Sequence, residues 1–261
     1  MIQAEFGNFD ILEFSETWLS PNISNNNIKL DNLHTPERKD VPNDNHGGVL
    51  LYVKHNISYK RRHAIELLGT ENIWIELTLT CNKKMLVGLL YRPPNTHADI
   101  DQSIVNSILL AYNTVNDNIV ILGDFNLNSS IVNSRRKLES LCTLFNLTQC
   151  IQEPTHYTEN SQSILHLILV NKPESVLLCG VGEPVLEQNI RYHCPVFAIF
   201  TFCKPNISSF KRHMWFYDRG KYNDFRQHLS NTDWDSLQND DINVWVPHFT
   251  NYLLDTCKQF I

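Results

Sequence analysis

Short apolar runs dominate the hydrophobic pattern of this chain and predict buried β-strands. The clearest run, residues 119–122, has four consecutive apolar residues, three of them β-branched, and ends at Gly123. A run of this length, bounded by turn signals, is typical of a strand buried on both faces. Similar patterns predict further strands over residues 9–16, 49–53, 73–79, 85–91, 164–170, 175–181 and 195–202.

Helical periodicity appears in two places between these strands. Apolar residues recur at helical spacing over residues 99–116, and Leu138, Leu141, Cys142 and Phe145 share one helical face. The polar segments 21–45 and 153–158 contain proline turn signals and are predicted to be loops. Many strands with few helices indicate two stacked mixed sheets with helices outside them.

The composition changes near Lys204 and Pro205. The segment beyond them is charged and aromatic, with predicted helices over 222–229 and 242–257. Pro247 is expected to kink the second helix or to begin it afresh. We therefore expect a domain over 1–203 and a short helical tail over 204–261.

Bulk composition excludes several classes of protein. With 261 residues, 42% hydrophobic content and a net charge of −6, the chain is neither disordered nor a histone-like basic binder. The basic clusters 60–63, 135–137 and 211–213 are either phosphate contacts or solvated patches. Seven cysteines without Cys-x-x-Cys spacing indicate free thiols in a reducing compartment. No signal or membrane-span pattern is present, so we expect an intracellular protein, nuclear or cytoplasmic and not secreted.

Asp124 and Asn126 form the first candidate for chemistry. They follow the buried run 119–122 and are two residues apart, so their side chains point the same way at the end of a strand. A carboxylate beside an amide suits a metal-bound phosphate and its attacking water. The alternative is an ordinary turn at the end of a strand.

The order of several short motifs resembles the endonuclease domain of jockey-type non-LTR retrotransposons. The motifs are Glu16-Thr17-Trp18-Leu19, Gly47-Gly48-Val49, Tyr91-Arg92-Pro93-Pro94, Gly123-Asp124-Phe125-Asn126, Ser163-Ile164-Leu165-His166-Leu167-Ile168 and Tyr192-His193-Cys194-Pro195-Val196. That domain belongs to the endonuclease/exonuclease/phosphatase superfamily, which has apurinic-endonuclease-like and DNase I-like members. The resemblance covers roughly residues 9–202, and the tail resembles part of the connector to the reverse transcriptase.

The resemblance implies a fold, an activity and a set of roles. The fold is a four-layered α/β/β/α sandwich of two mixed sheets, and the activity is metal-dependent nicking of double-stranded DNA. This activity would need Mg²⁺, with Mn²⁺ as the alternative, but no small-molecule cofactor and no membrane. Glu16 and Asp124 would bind the metal, and Asp124 would also position or deprotonate the attacking water. Asn126 would hold the phosphate, Tyr91 would lie against it, His193 would stabilise the transition state, and Arg92 is a candidate phosphate contact.

Three departures from the family pattern predict an impaired enzyme. The strand and helix that normally precede the Glu16 motif are missing, which would expose a sheet edge. Tyr192 replaces an acid beside His193, and His166 replaces the aspartate that would orient it. An imidazole cannot favour a charged His193 as a carboxylate does.

These departures leave other functions open. The chain could be a non-catalytic nucleic-acid-binding or interaction module, or it could belong to the phosphatase branch of the superfamily. Asp124, His166 and His193 could instead form a site for Zn²⁺ or another borderline metal ion.

Overall fold

The computed structural model describes residues 6–42, 46–80, 83–94, 96, 98–114, 118–128, 131–184, 191–203 and 217–261. The chain divides into two compact units, Met1–Ile207 and Ser208–Ile261. Each unit is described by itself below.

The first unit contains fourteen described strands and two α-helices. The strands are β1 (Ile11–Ser15), β2 (Glu37–Lys39), β3 (Val49–Val53), β4 (Tyr59–Arg61), β5 (Glu71–Thr78), β6 (Lys84–Tyr91), β7 (Asn118–Asp124), β8 (Thr148–Gln149), β9 (His156–Thr158), β10 (Ser161–Ser163), β11 (His166–Val170), β12 (Val176–Val181), β13 (Arg191–His193) and β14 (Val196–Phe200). The helices are α1 (Ala98–Thr114) and α2 (Val132–Phe145). The longer predicted elements all occur, with ends shifted by a few residues.

The largest sheet has six strands in the order β4-β5-β6-β7-β11-β8. β6 and β7 pair in parallel, with α1 between them in the chain, and the other neighbours are antiparallel. The central strands are apolar on both faces, as the continuous run in β7 predicted.

The second layer consists of shorter sheets. β1, β3 and β2 form one antiparallel sheet in that order, β12 pairs with β14, and β10, β9 and β13 form a third sheet. Among the described residues β1 has a strand neighbour only on its β3 side. The ring centroids of Phe9, before β1, and Phe197, on β14, are 6.4 Å apart, so these two parts of the second layer are in contact.

Two principal clusters of apolar residues hold these layers together. One lies between the six-stranded sheet and the second layer, and includes Val49, Ile73, Val120 and Ile168. The other joins the opposite face of the six-stranded sheet to α1 and α2, with Trp74 fully buried at its centre. The predicted architecture of two stacked mixed sheets with helices outside is therefore confirmed.

Two segments predicted as loops contain strands. β2 lies within the predicted loop 21–45 and is entirely polar, so its sequence carries no apolar alternation. Pairing with β3 and the ion pair between Arg61 and Glu37, 3.0 Å, hold it in place. β9 lies within the predicted loop 153–158 and is held by β10 and β13 on either side. Tertiary pairing decided both strands against their local composition.

The second unit contains two described α-helices, α3 (Tyr222–Ser230) and α4 (Ile242–Phe260). α4 runs through Pro247, so the helix does not begin afresh there, and the alternative of a kink stays a prediction. Pro247 lies in the second turn, where its ring removes a single backbone hydrogen bond. The Asp241 side chain caps the helix by accepting from the backbone N–H of Asn243.

None of the described helices combines the length and the apolar character needed to cross a membrane.

Gly123 allows β7 to lie against β6 at the end of the sheet. Its φ is +146°, a backbone conformation that residues with a side chain rarely adopt. A Cβ atom at this position would lie 1.8 Å from the carbonyl oxygen of Leu90 on β6. The glycine therefore permits a close backbone approach immediately before Asp124.

Glu13 on β1 is a buried acid between the sheets. Neither carboxylate oxygen has a hydrogen-bond partner among the described residues. Burial raises its pKa from 4.5 to about 8, because desolvation disfavours the charged form. The folded chain therefore holds Glu13 neutral at pH values where the unfolded chain ionises it.

We predict that Glu13→Gln stabilises the protein more at pH 8 than at pH 5. The folded state binds the Glu13 proton more tightly than the unfolded state, so stability falls as pH rises from 4.5 to about 8. The slope is at most about 1.4 kcal/mol per pH unit. Urea denaturation at both pH values measures the difference, with the exposed Glu159→Gln as control. Equal gains at the two pH values would contradict a neutral Glu13.

We predict that Gly123→Ala destabilises the protein by about 3 kcal/mol or more, because its Cβ would collide with backbone rather than with a movable side chain. The matched control is Gly180→Ala in β12, where a Cβ would lie 3.4 Å from the Phe197 ring. Thermal unfolding of both variants compares them. A similar small loss in each would show that β6 and β7 separate at little cost.

Candidate active site

The candidate site is built on a row of residues across the ends of the central strands. Tyr91 on β6 is the register partner of Asp124 on β7, and Asp124 is the partner of His166 on β11. Glu71 on β5 extends the row as the partner of Tyr91. Side chains at paired positions share one face of a sheet. In this case that face looks toward the second layer, because Tyr91 packs in the cluster between the sheets.

Glu16 reaches this row from the second layer. It follows β1 and is exposed, and its carboxylate accepts a hydrogen bond from the Tyr91 hydroxyl, 2.5 Å. Burial, followed by this bond, raises the pKa of Tyr91 well above its ordinary value. The backbone of Glu16 has a φ of +52°, which is uncommon for a residue with a side chain. The structure thus brings Glu16 and Tyr91 together, as the predicted site requires.

The Gly47-Gly48 motif lies beside Glu16 and supports its loop. Thr17 and Trp18 donate backbone hydrogen bonds to the carbonyl oxygens of Gly48 and Gly47. The Gly48 N–H in turn donates to the carboxylate of Glu71, 2.5 Å. This loop leaves Trp18 58% exposed beside the site.

Asp124 is buried and oriented by the backbone that follows it. Its Oδ1 accepts from the N–H of Asn126, 3.0 Å, in a turn where Asn126 has a φ of +48°. The Asn126 side-chain amide donates to the backbone carbonyl of Arg92, 3.0 Å. The two predicted residues therefore do lie together at the strand end, and Asn126 also ties β7 to the segment after β6.

His166 is the most strongly oriented ring of the site. Its Nδ1 bonds the backbone carbonyl of Cys194, 3.0 Å, and a carbonyl can only accept. Nδ1 therefore carries a proton and Nε2 points toward Asp124, whose Oδ2 lies 4.0 Å away. Burial lowers the pKa of His166, although the Cys194 carbonyl and the charge of Glu16 act in the opposite direction.

His193 completes the cluster from the β10-β9-β13 sheet. Its Nδ1 lies 3.0 Å from Nε2 of His166, and its ring packs against His156 with centroids 4.5 Å apart. Tyr192, where the resemblance predicts an acid, stacks on Tyr157. His193 is exposed, so solvent reaches this end of the cluster.

Arg92 occupies a different position from the other predicted residues. Its side chain is buried, and its Nε donates to Asp101 at 2.6 Å. Asp101 also binds Lys137, 2.8 Å, from the basic cluster 135–137. The two cations lower the pKa of Asp101 against the opposing effect of its partial burial. Arg92 therefore links the segment after β6 to α1.

The first basic cluster is largely paired with acids as well. Arg61 binds Glu37 and Glu66, and Arg62 lies 3.6 Å from Glu76. The cluster 211–213 lies outside the described residues.

Four site residues have no strong signal in the sequence. Glu71 and His156 are at positions that only strand pairing brings to the site. Cys194 contributes its backbone carbonyl, and Thr155 contributes a buried hydroxyl group. Thr155 Oγ1 accepts from the backbone N–H groups of Leu165 and His166 at 2.9 and 3.1 Å. The Thr155 carbonyl also accepts from the N–H of Cys194. Only the proline before Thr155 marked this segment, and it indicated a turn.

The ligand atoms of the site do not suit Mg²⁺ well. Asp124, His166 and His193 each offer a ligand atom, all within 4.8 Å of one another among the described residues. This set has one carboxylate and two imidazoles, whereas Mg²⁺ prefers oxygen ligands. Glu16 adds a carboxylate to the neighbourhood, but Tyr91 binds it.

Comparisons with known proteins agree with this architecture. A family model described as endonuclease-reverse transcriptase matches residues 85–189. The comparison with curated proteins gave no match. Several solved structures share the fold across about three quarters of the chain.

A 3′ phosphatase from Neisseria, NExo, bound to a product DNA hairpin, aligns with a TM-score of 0.58 and 15% identity, over 76% of this chain and 91% of that chain. The endonuclease domain of TRAS1, a telomere-specific non-LTR retrotransposon, gives 0.57 and 11%, over 74% and 89%. The catalytic domain of Xenopus laevis APE2 gives 0.53 and 12%, over 78% and 88%.

The chain therefore has the DNase I-like fold, which it shares with these endonuclease and phosphatase structures. Within that fold, residues 85–189 resemble the endonuclease-reverse transcriptase family in sequence. The predicted resemblance is confirmed at this level.

We predict that Thr155→Val destabilises the protein by roughly 2–4 kcal/mol, because it leaves a buried and a half-buried backbone N–H group without their acceptor. The matched control is Thr148→Val, an exposed strand position expected to change stability by less than about 0.5 kcal/mol. Urea denaturation compares the two variants. Equal effects would show that Thr155 does not hold the start of β11.

Proposed function

We propose that this chain is a DNA-directed phosphodiesterase domain whose nicking activity is weak. The observation that carries the proposal is the row of Tyr91, Asp124 and His166, joined by Glu16 and His193 at the edge between the two layers. Fold neighbours that are a 3′ phosphatase bound to a DNA hairpin and a retrotransposon endonuclease support DNA as the substrate.

Each residue of the row has a role in this proposal. Asp124, buried and held by the N–H of Asn126, orients the attacking water and accepts its proton. Tyr91 fixes the carboxylate of Glu16, and the exposed His193 donates to a phosphate oxygen. The exposed Trp18 offers a flat apolar surface on which a base can stack. Arg92 has no role in the proposal, because its side chain is buried and donates to Asp101.

The weakness follows from the partner of His193. A carboxylate beside His193 would stabilise its imidazolium form, which donates strongly to a phosphate. Its partner in this chain is the imidazole of His166, which does not stabilise a positive charge on His193 as a carboxylate would. Tyr192 stacks on Tyr157 and supplies no carboxylate to a hard metal ion.

We expect the unaltered chain to nick supercoiled plasmid slowly in Mg²⁺, and the double variant His166→Asp, Tyr192→Asp to nick it at least about tenfold faster. A positioned acid–base group is worth about 10²–10⁴ in rate, so a tenfold gain is a conservative threshold. Adding Asp124→Ala to the double variant should abolish the gain. The exposed His63→Asp is the matched control and should change nothing.

Two results would contradict the proposal. Turnover by the unaltered chain equal to that of an intact nuclease of this fold would disprove the weakness. Absence of any gain in a folded double variant would show that positions 166 and 192 do not limit the reaction.

A second candidate is a non-catalytic nucleic-acid-binding module, favoured by the exposed Trp18 beside a site with two replaced acids. It predicts salt-dependent DNA binding without cleavage, even in the double variant. The ion pairs of Arg61 and Lys137 count against strong electrostatic binding. Turnover of a small phosphoester would point to the phosphatase branch instead.

A further inference from the structure

The cluster of Asp124, His166 and His193 has the composition of a transition-metal site. Its two imidazoles and one carboxylate meet from three different strands, β7, β11 and β13. Imidazole nitrogen suits Zn²⁺ and similar borderline ions, whereas oxygen ligands suit Mg²⁺. We propose that Asp124, His166 and His193 bind one Zn²⁺-class ion in place of the hard metal ion that the superfamily fold implies.

The distances between the ligand atoms agree with one shared ion. Two ligands of a tetrahedral Zn²⁺, each at about 2.0–2.1 Å, are roughly 3.3 Å apart. Nε2 of His166 and Nδ1 of His193 are 3.0 Å apart. Oδ2 of Asp124 lies 4.0 Å from the same Nε2, and all three ligand atoms lie within 4.8 Å of one another, so side-chain movements of roughly 0.7–1.5 Å bring Asp124 into the coordination range.

The protein also supplies the outer support that metal-binding histidines require. A ligating histidine almost always donates its other ring N–H to a carbonyl or a carboxylate, which fixes its tautomer and its orientation. His166 meets this condition, because its Nδ1–H donates to the carbonyl of Cys194 and leaves the Nε2 lone pair directed into the cluster. Thr155 holds both partners of that bond through its hydroxyl and its carbonyl.

His193 keeps the cluster accessible. Its ring packs against His156, yet the residue is exposed, so an ion and its waters can enter from solvent. In the unloaded cluster Nδ1 of His193 donates to Nε2 of His166. Binding requires the other neutral tautomer of His193, in which Nε2 carries the proton, and the freed Nδ1 lone pair binds the ion. Three protein ligands with an open fourth position are typical of catalytic zinc sites. A bound ion of this kind supplies a Lewis acid to a phosphate oxygen.

This inference rests on the proposed function only for the substrate that the ion would meet. It is tested by metal binding, so the two can fail separately. Nicking in Mg²⁺ without Zn²⁺ binding would retain the proposed function and reject the zinc site. Zn²⁺ binding without nicking would retain the zinc site and reject the proposed function.

The experiment is a calorimetric titration of the metal-free chain with Zn²⁺ in the presence of a competing chelator. Co²⁺ absorption serves as a second readout, since its intensity and position report nitrogen ligands and coordination number. We expect one Zn²⁺ per chain. His193→Ala and His166→Asp should each weaken binding at least about tenfold, and His166→Asp should also lower the preference for Zn²⁺ over Mg²⁺.

Matched controls separate this site from other Zn²⁺ ligands in the chain. His63→Ala removes an exposed histidine outside the cluster and should leave binding unchanged. Cys179→Ser removes a thiol whose Sγ lies 3.4 Å from the Cys150 carbonyl and should also leave it unchanged. Circular dichroism confirms that each variant folds. His193 is exposed, so His193→Ala decides the question even if His166→Asp unfolds.

Three results would overturn the proposal. The first is no saturable Zn²⁺ binding by the unaltered chain. The second is undiminished binding by folded His193→Ala. The third is loss of binding in Cys179→Ser, which would place the ion on thiols.

Discussion

The register of three central strands is the constraint on which the site depends. β6 and β7 run parallel and β11 runs antiparallel to β7, and their pairing places Tyr91, Asp124 and His166 side by side. A slip of one residue in any strand would turn its side chain to the opposite face, toward α1 and α2. The apolar residues of these strands pack on both faces and fix that register. Gly123 contributes directly, because only a residue without Cβ fits against the Leu90 carbonyl just before Asp124. The packing of the core therefore also determines the geometry of the site.

Most polar groups around the site are bonded within the protein, and this limits what the site can do. Arg92 binds Asp101, Asn126 binds the Arg92 carbonyl, and Glu71 binds the Gly48 N–H. These bonds hold the loops at the end of the sheet. The same polar groups are therefore not available to bind a phosphate. The imidazole pair of His166 and His193 is the part that differs most from the acidic pattern expected of the family. The proposed preference for a borderline metal ion follows from this pair of imidazole nitrogens.

Glu13 is an exception to the apolar character of the core between the two layers. A buried carboxyl without a partner costs stability whenever it would be ionised, and nothing in the described core compensates it. It lies on β1, which is at the edge of its sheet among the described strands, and its register partner Leu51 packs in the cluster between the two layers. The second layer thus contains a buried carboxyl group without a described hydrogen-bond partner and a strand with one described neighbour. The central strands of the six-stranded sheet have neighbours on both sides.

The sequence by itself determined the long strands, the helices α1 and α2 and the presence of a strand-end acid at Asp124, because apolar periodicity and turn residues are local properties. Motif order then grouped Glu16, Tyr91, Asp124 and His193, and the structure brings these residues together at one end of the sheets. Only the tertiary structure decided the short polar strands β2 and β9, the continuity of α4 through Pro247 and the pairing of Arg92 with Asp101. It also decided the orientation of His166 by Thr155 and the Cys194 carbonyl. These features depend on backbone groups and on residues distant in the chain, whose meeting no local pattern records.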